Sequence, residues 1–272
     1  MTRKTQLLSE SELQVSYLEA GQGAPLVLIH GVGMNADAWM PQMAALSRYF
    51  RVIAVDMPGH GESSGFRHPA TLTDYVQWLA LFLQTQPERS FAVAGHSMGA
   101  LITAGIAIDY PQLVNHAIVI SGVFKRNDSA RNAVLKRAKE LASGNVGLDA
   151  PLDRWFSNEH DEQPLRQQVG AWLQQVDIDG YACAYQAFAS GDRMYSERWK
   201  ELQCPVLVMT GELDANSNPD MTRQMALAAR HGQAVIVANA KHMLNLTDAD
   251  RVNSEILSFL NPVATALTQK GL

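Results

Sequence analysis

Gly95-His96-Ser97-Met98-Gly99 sets a serine between two glycines in the pattern G-x-S-x-G. The run before it, Phe91 to Ala94, is apolar and strand-like, and the run from Ala100 to Ile108 is helix-like. A serine at a strand-to-helix junction is the sequence form of a nucleophile elbow. The sharp turn puts the serine in a strained backbone conformation and requires small residues two positions away on either side. The hydroxyl then stands at a helix N-terminus, where the dipole favours a developing negative charge.

A nucleophilic serine needs a base, and the base needs an orienting acid. Asp214 follows the apolar run Val206 to Met209, and His242 follows the apolar run Val235 to Val237. If both runs are parallel strands, Ser97, Asp214 and His242 meet at the carboxyl edge of one sheet, where ligand sites of such sheets gather. His30 precedes Gly31 at the end of another apolar run, which suits a structural or oxyanion-loop residue better than the base. His96 is expected to point away from the serine. The backbone N–H groups of Met98 and Val32 are the expected oxyanion donors, Val32 because glycines flank it.

The elements that must position these residues alternate in kind. Strand-length runs at Leu13 to Ala20, Leu26 to Ile29, Val52 to Val55, Phe91 to Ala94, Ala117 to Ile120, Val206 to Met209 and Val235 to Val237 are interleaved with amphipathic stretches. Helices are expected over 38–50, 72–84 and 249–260. The fold class is α/β, with a mostly parallel, doubly wound sheet. From 125 to 200 no strand pattern appears, and breaks fall at Gly144, Gly147, Pro151, Pro164 and Gly180. This segment reads as a helical cap inserted into a core of 1–124 and 201–272. Its aromatic residues would shape a pocket and exclude water. Trp155 and Tyr185 from the cap, with Met243 beside the histidine, are the candidate substrate contacts. The basic run Lys125, Arg126, Arg131, Lys136, Arg137, Lys139 reads as a solvated helix face. Arg193 is the better candidate to fork onto a substrate carboxylate.

Composition narrows the function classes. The chain has 272 residues, 47% hydrophobic and 18% charged, enough for one large α/β domain. A net charge of −5 speaks against nucleic acid as a partner. Cys183 and Cys204 lie in no metal or redox motif and read as reduced thiols. No apolar run reaches transmembrane length. The expectation is a cytoplasmic monomer or homodimer acting on a small molecule, away from membranes, with no metal or organic cofactor.

At these residues the chain resembles the α/β-hydrolase superfamily over nearly its whole length. The matching segments are His30-Gly31-Val32-Gly33, Asp56-Met57-Pro58-Gly59-His60-Gly61, Gly95 to Gly99, Gly211-Glu212-Leu213-Asp214 and Lys241-His242. The resemblance implies an α/β-hydrolase fold and a mainly structural role for the 56–61 loop. Serine at the elbow is unlike haloalkane dehalogenases and epoxide hydrolases, which carry aspartate there. His30 to Trp39 resembles the meta-cleavage C–C hydrolases, but Met243 stands where they usually have tryptophan. His242-Met243-Leu244-Asn245 and Gly180 to Tyr185 are similar to the 3-oxoadipate enol-lactonase group. The implied activity is hydrolysis of a small carboxylic ester, lactone or related acyl compound through an acyl-enzyme on Ser97. The alternatives are a C–C bond hydrolase and an amide hydrolase of aromatic or heterocycle catabolism. More distant are a cofactor-free lyase or oxidase and a ligand sensor on the same fold.

Overall fold

A computed structural model describes residues 1–260 apart from 144–146, 148 and 158. The expected break at Gly144 and the end of the core, 261–272, lie outside the described residues. The elements run in the order β1 Thr2–Leu8, β2 Leu13–Ala20, β3 Pro25–Ile29, α1 Met40–Leu46, β4 Arg51–Val55, α2 Leu72–Gln84, β5 Phe91–His96, α3 Met98–Asp109 and β6 Val114–Ile120. There follow α4 Asp128–Ala142, α5 Asp149–Trp155, α6 Gln163–Gln175, α7 Ile178–Gly191, β7 Val206–Gly211, α8 Pro219–Ala228, β8 Gly232–Val237, α9 Leu244–Thr247 and α10 Ala249–Leu260.

The sheet has eight strands in the order β1-β2-β4-β3-β5-β6-β7-β8. β3 to β8 are mutually parallel, while β1 and β2 join antiparallel at one edge. Leu26 and Leu28 pack into one hydrophobic layer with α1 and α10; Val27 and Ile29 pack into the other with α2 and α3. A strand covered on both faces needs apolar residues at every position, which is why β3 reads as an unbroken apolar run. No helix among the described residues is long and apolar enough to cross a membrane.

The expected helices over 72–84 and 249–260 are found at those bounds, whereas the expected 38–50 helix is a 3-10 turn followed by the shorter α1. Thr71 and Asp74 start α2 with a reciprocal capping box. β1 has no counterpart among the expected strands. It is an edge strand, largely exposed and rich in charged and polar residues, held by its backbone pairing with β2. Its Arg3 nevertheless reaches inward and donates to the buried Asp56 carboxylate at 2.7 Å. Between β6 and β7 the described residues form the α-helices α4 to α7 in place of a simple crossover.

Candidate active site

Parallel strands all point their carboxyl ends the same way, so the turns after β3, β5, β7 and β8 share one edge of the sheet. The turn after β5 holds Ser97 at φ 55° and ψ −110°, left-handed backbone that a non-glycine residue occupies only under constraint. The constraint is close packing of strand on helix. A methyl group on Gly95 would come within 2.0 Å of the Gly99 carbonyl oxygen, and one on Gly99 within 2.2 Å of the Ile29 carbonyl oxygen. Ser97 N–H donates to the Ile120 carbonyl, which ties the turn to β6. Met98 opens α3, so its N–H is among the first-turn amides that the helix itself leaves unsatisfied.

Asp214 and His242 meet across the turns after β7 and β8. His242 Nδ1 donates to Asp214 Oδ2 at 2.8 Å, with both residues almost wholly buried. The other carboxylate oxygen accepts the Asn216 and Ser217 N–H groups. Burial alone would raise the Asp214 pKa, but the field and hydrogen bond of His242 and the backbone donors outweigh it and hold the carboxyl below its ordinary value. Asp214 therefore stays a carboxylate, and with Nδ1 of His242 bonded to it, Nε2 is the free ring nitrogen.

Two other histidines fix the surroundings of this pair. His96 Nε2 donates to the His242 carbonyl at 2.8 Å, its ring 4.9 Å from that of His242. It lines the same cavity as Ser97, supporting the histidine loop from behind. Burial and the nearby His242 push its pKa down to about 3, so it is a neutral strut. His30 Nε2 accepts the Met57 N–H, as suits a structural residue. His60, from the 56–61 loop, accepts the Gly33 N–H at Nε2 while Nδ1 donates to the Pro58 carbonyl. Burial, then His30, lowers the His60 pKa to about 3, which preserves the acceptor nitrogen. His60 thus pins the turn that carries Val32. That turn abuts the serine: a methyl group on Gly31 would lie 3.2 Å from Ser97 Cβ.

Above the sheet edge lies a cavity of about 820 Å³. Ser97, His242, Val32 and the anticipated Trp155, Tyr185 and Met243 all line it. Asp214 lies behind His242, and Met98 is buried beneath the elbow. Trp155 stacks on His242 at 5.9 Å with 28° between ring planes. Lys241 donates to the Phe156 carbonyl at 2.7 Å and so fastens the histidine loop to the end of α5.

The expectation for the basic residues is reversed. Arg193 is not among the cavity-lining residues; its Nη2 donates to Asp128 and to the Arg126 carbonyl, and the side chain is half exposed. It is Arg126, from the run read as a solvated face, that turns inward. It is 3% exposed and lines the cavity, with its guanidinium over the Phe188 ring at 4.4 Å. The run misleads because Arg126 precedes α4 and does not share that helix's outer face, and Arg137 of the same run, on α4, also lines the cavity.

A serine at a strained elbow, a buried Asp–His pair and a cavity over both define a hydrolase of the α/β class. The family model described as "Alpha/beta hydrolase family" matches residues 26–255, and the chain belongs to that family. A relative from Acinetobacter baylyi, an (E)-2-((N-methylformamido)methylene)succinate hydrolase, is 44% identical over 96% of this chain and 98% of its own length. Solved structures agree on the fold. A thermophilic esterase from Thermogutta terrifontis superposes with a TM-score of 0.87 at 23% identity, covering 97% of this chain and 99% of that one. The enol-lactonase from Burkholderia xenovorans gives 0.83 at 24% identity, covering 94% and 99%.

Proposed function

We propose that this enzyme is a serine hydrolase that cleaves a small acyl compound through an acyl-enzyme on Ser97. The observation that carries the reading is the buried His242–Asp214 hydrogen bond opening onto the same cavity as the strained Ser97. His242 takes the Ser97 proton as Oγ attacks the carbonyl carbon. The Val32 and Met98 N–H groups hold the oxyanion, each donor contributing about 3 kcal/mol to the barrier reduction. The bond to the leaving nitrogen or oxygen breaks as His242 returns the proton to it. Water, deprotonated by His242, then releases the acid and regenerates the serine. Asp214 keeps His242 in the tautomer with Nε2 facing the reaction and stabilises its cation. These steps need no metal or organic cofactor.

The bond cleaved is assigned as an acyl C–N bond of an enamide, with small esters as secondary substrates. The 44%-identical relative is named for a formamide whose nitrogen sits on a carboxylate-bearing alkene. Such a nitrogen delocalises its lone pair into the conjugated alkene. That weakens amide resonance and makes the enamine a better leaving group than an ordinary amine. The segment 125–200 serves as the cap that closes over this substrate, and the enzyme works in the cytoplasm as a monomer or homodimer.

The test compares wild type with Ser97→Ala on p-nitrophenyl acetate and on an N-formyl enamide bearing a carboxylate. A fluorophosphonate adduct on wild type is read by intact mass. The expected result is labelling of wild type, turnover of both compounds with the enamide preferred, and loss of both activities and the label in Ser97→Ala. Turnover that survives in Ser97→Ala would overturn acyl transfer to the serine. Ester turnover without enamide turnover would overturn the C–N assignment alone.

A further inference from the structure

Among the described residues, the buried side-chain donors left without any hydrogen-bond partner include Arg126 Nη2 and Trp155 Nε1, both from residues on the cavity wall. A buried guanidinium with an empty N–H is costly unless something completes it. Its neighbours do not. Asp192 spends Oδ1 on Arg131 and Oδ2 on the Arg126 backbone N–H. It reaches the Arg126 guanidinium only at 3.6 Å, beyond a hydrogen bond. Nη1 has only a long contact, 3.5 Å, with the Phe188 carbonyl. Burial, partly offset by Asp192, lowers the Arg126 pKa to about 10, which still leaves it cationic at neutral pH.

The rest of the wall has the same sign. Arg126, Arg137 and Arg154 share the described lining with one carboxylate, Glu140, in a chain whose net charge is −5. An electropositive cavity in an acidic protein concentrates anions at its mouth and repels few of them inside. Phe188 covers one face of the Arg126 guanidinium, which excludes water and strengthens any ion pair made there.

We infer that Arg126 is a specificity-determining residue that holds a carboxylate of the substrate, so the enzyme takes carboxylate-bearing acyl compounds in preference to neutral ones. The inference rests on the acyl-transfer reading for what is cleaved, but the anchor itself needs no turnover. Nη2 has almost no accessible surface, so a turn of the side chain toward the cavity brings it to an incoming carboxylate; that carboxylate displaces no hydrogen-bond partner, and its charge neutralises the guanidinium that Asp192 leaves under-compensated. Trp155 Nε1, on the helix that stacks over His242, offers a second unpaired donor close to the reacting centre.

The test is calorimetric titration of succinate and of succinamide, which match in size and differ in charge, into wild type, Arg126→Lys and Arg126→Met. Wild type is expected to bind succinate at least about tenfold more tightly than succinamide, as fits a charge-assisted hydrogen bond. Lysine keeps the cation opposite Asp192 but cannot place a second donor where Nη2 lies. Arg126→Lys is therefore expected to fold, to melt near wild type, and to lose at least about tenfold in succinate affinity. Arg126→Met should lose the discrimination altogether; where it does not fold, the lysine variant carries the assignment. Equal wild-type affinity for the two compounds, or unchanged succinate affinity in Arg126→Lys, would overturn the anchor. Succinate binding that depends on Arg126 in a protein with no Ser97-dependent turnover would spare the anchor and sink the acyl-transfer reading.

Discussion

The turns at the sheet edge and the helices between β6 and β7 meet at one cavity but differ in how their polar groups are satisfied. At the sheet edge the reacting side chains and the histidine struts already have partners, although Asn245 Oδ1 in the helix after His242 has none. Both oxygens of Asp214, Nδ1 of His242 and both ring nitrogens of His30 and His60 have hydrogen-bond partners before any substrate arrives. The helical side holds Arg126 Nη2 and Trp155 Nε1 with no partner. The packing differs too. In α3 every residue from Met98 to Ile108 is buried, whereas in α4 only Ala138 and Leu141 are. Preorganised dipoles lower a barrier because they need no rearrangement during the reaction. A recognition surface works the other way: its open donors are completed by the ligand, and a wrong ligand leaves them unpaired. On the proposed function, reaction type and substrate choice are divided between two regions with opposite hydrogen-bond economies.

The sharpest way to break this division is at the serine. Ser97→Ala is expected to lower kcat by about 10⁴-fold or more with an unchanged circular dichroism spectrum. Next is Asp214→Asn, expected to cost about 10³–10⁴-fold in kcat with little change in KM, because the amide favours the wrong His242 tautomer. A loss confined to KM would place Asp214 on the recognition side and break the comparison.

Stability separates the regions further. Gly95→Ala forces a methyl group 2.0 Å from a carbonyl oxygen at the elbow. It should cost about 3 kcal/mol or abolish folding, read by urea denaturation. The neutral histidine struts make the sheet edge sensitive to acid. His60 and His96 have native pKa values near 3 against an ordinary 6.5, so unfolding takes up protons between those values. Stability is full above pH 6.5 and falls as pH drops toward 3, by about 2 kcal/mol for each histidine between pH 7 and 5. Asp214, held below its ordinary 3.8, adds nothing in that window. A urea midpoint that stays constant from pH 7 to 5 would contradict neutral struts. The smallest effect belongs to the helical side. In α6 a methyl group on Gly170 meets only the flexible end of Leu152 at 3.4 Å. Gly170→Ala should therefore stabilise by about 0.5–1 kcal/mol, and a loss of stability would show that α6 is packed as tightly as the elbow.

Most of the sheet was legible because strands covered on both faces must be apolar throughout, and because glycine punctuates the turns that follow them. β1 was not, since an edge strand is held by backbone bonds that carry little side-chain signature. The histidines show the same limit. Their order along the chain separates His242 from the rest, but that His60 props the Val32 turn is set by a contact between residues 27 positions apart.

By itself the sequence determined the alternation that makes a parallel sheet, and therefore that the turns carrying Ser97, Asp214 and His242 share one edge. Local rules suffice there, because small residues at the elbow and apolar strands leave the chain one way to run. Only the tertiary structure decided which of Arg126 and Arg193 faces the cavity. Arg126 and Arg193 are chemically alike and both flank helices of the same segment. One is turned inward over Phe188 beside Asp192, while the other is held outside by Asp128. That choice depends on how α4 and α7 pack together, and no spacing of residues along the chain encodes it.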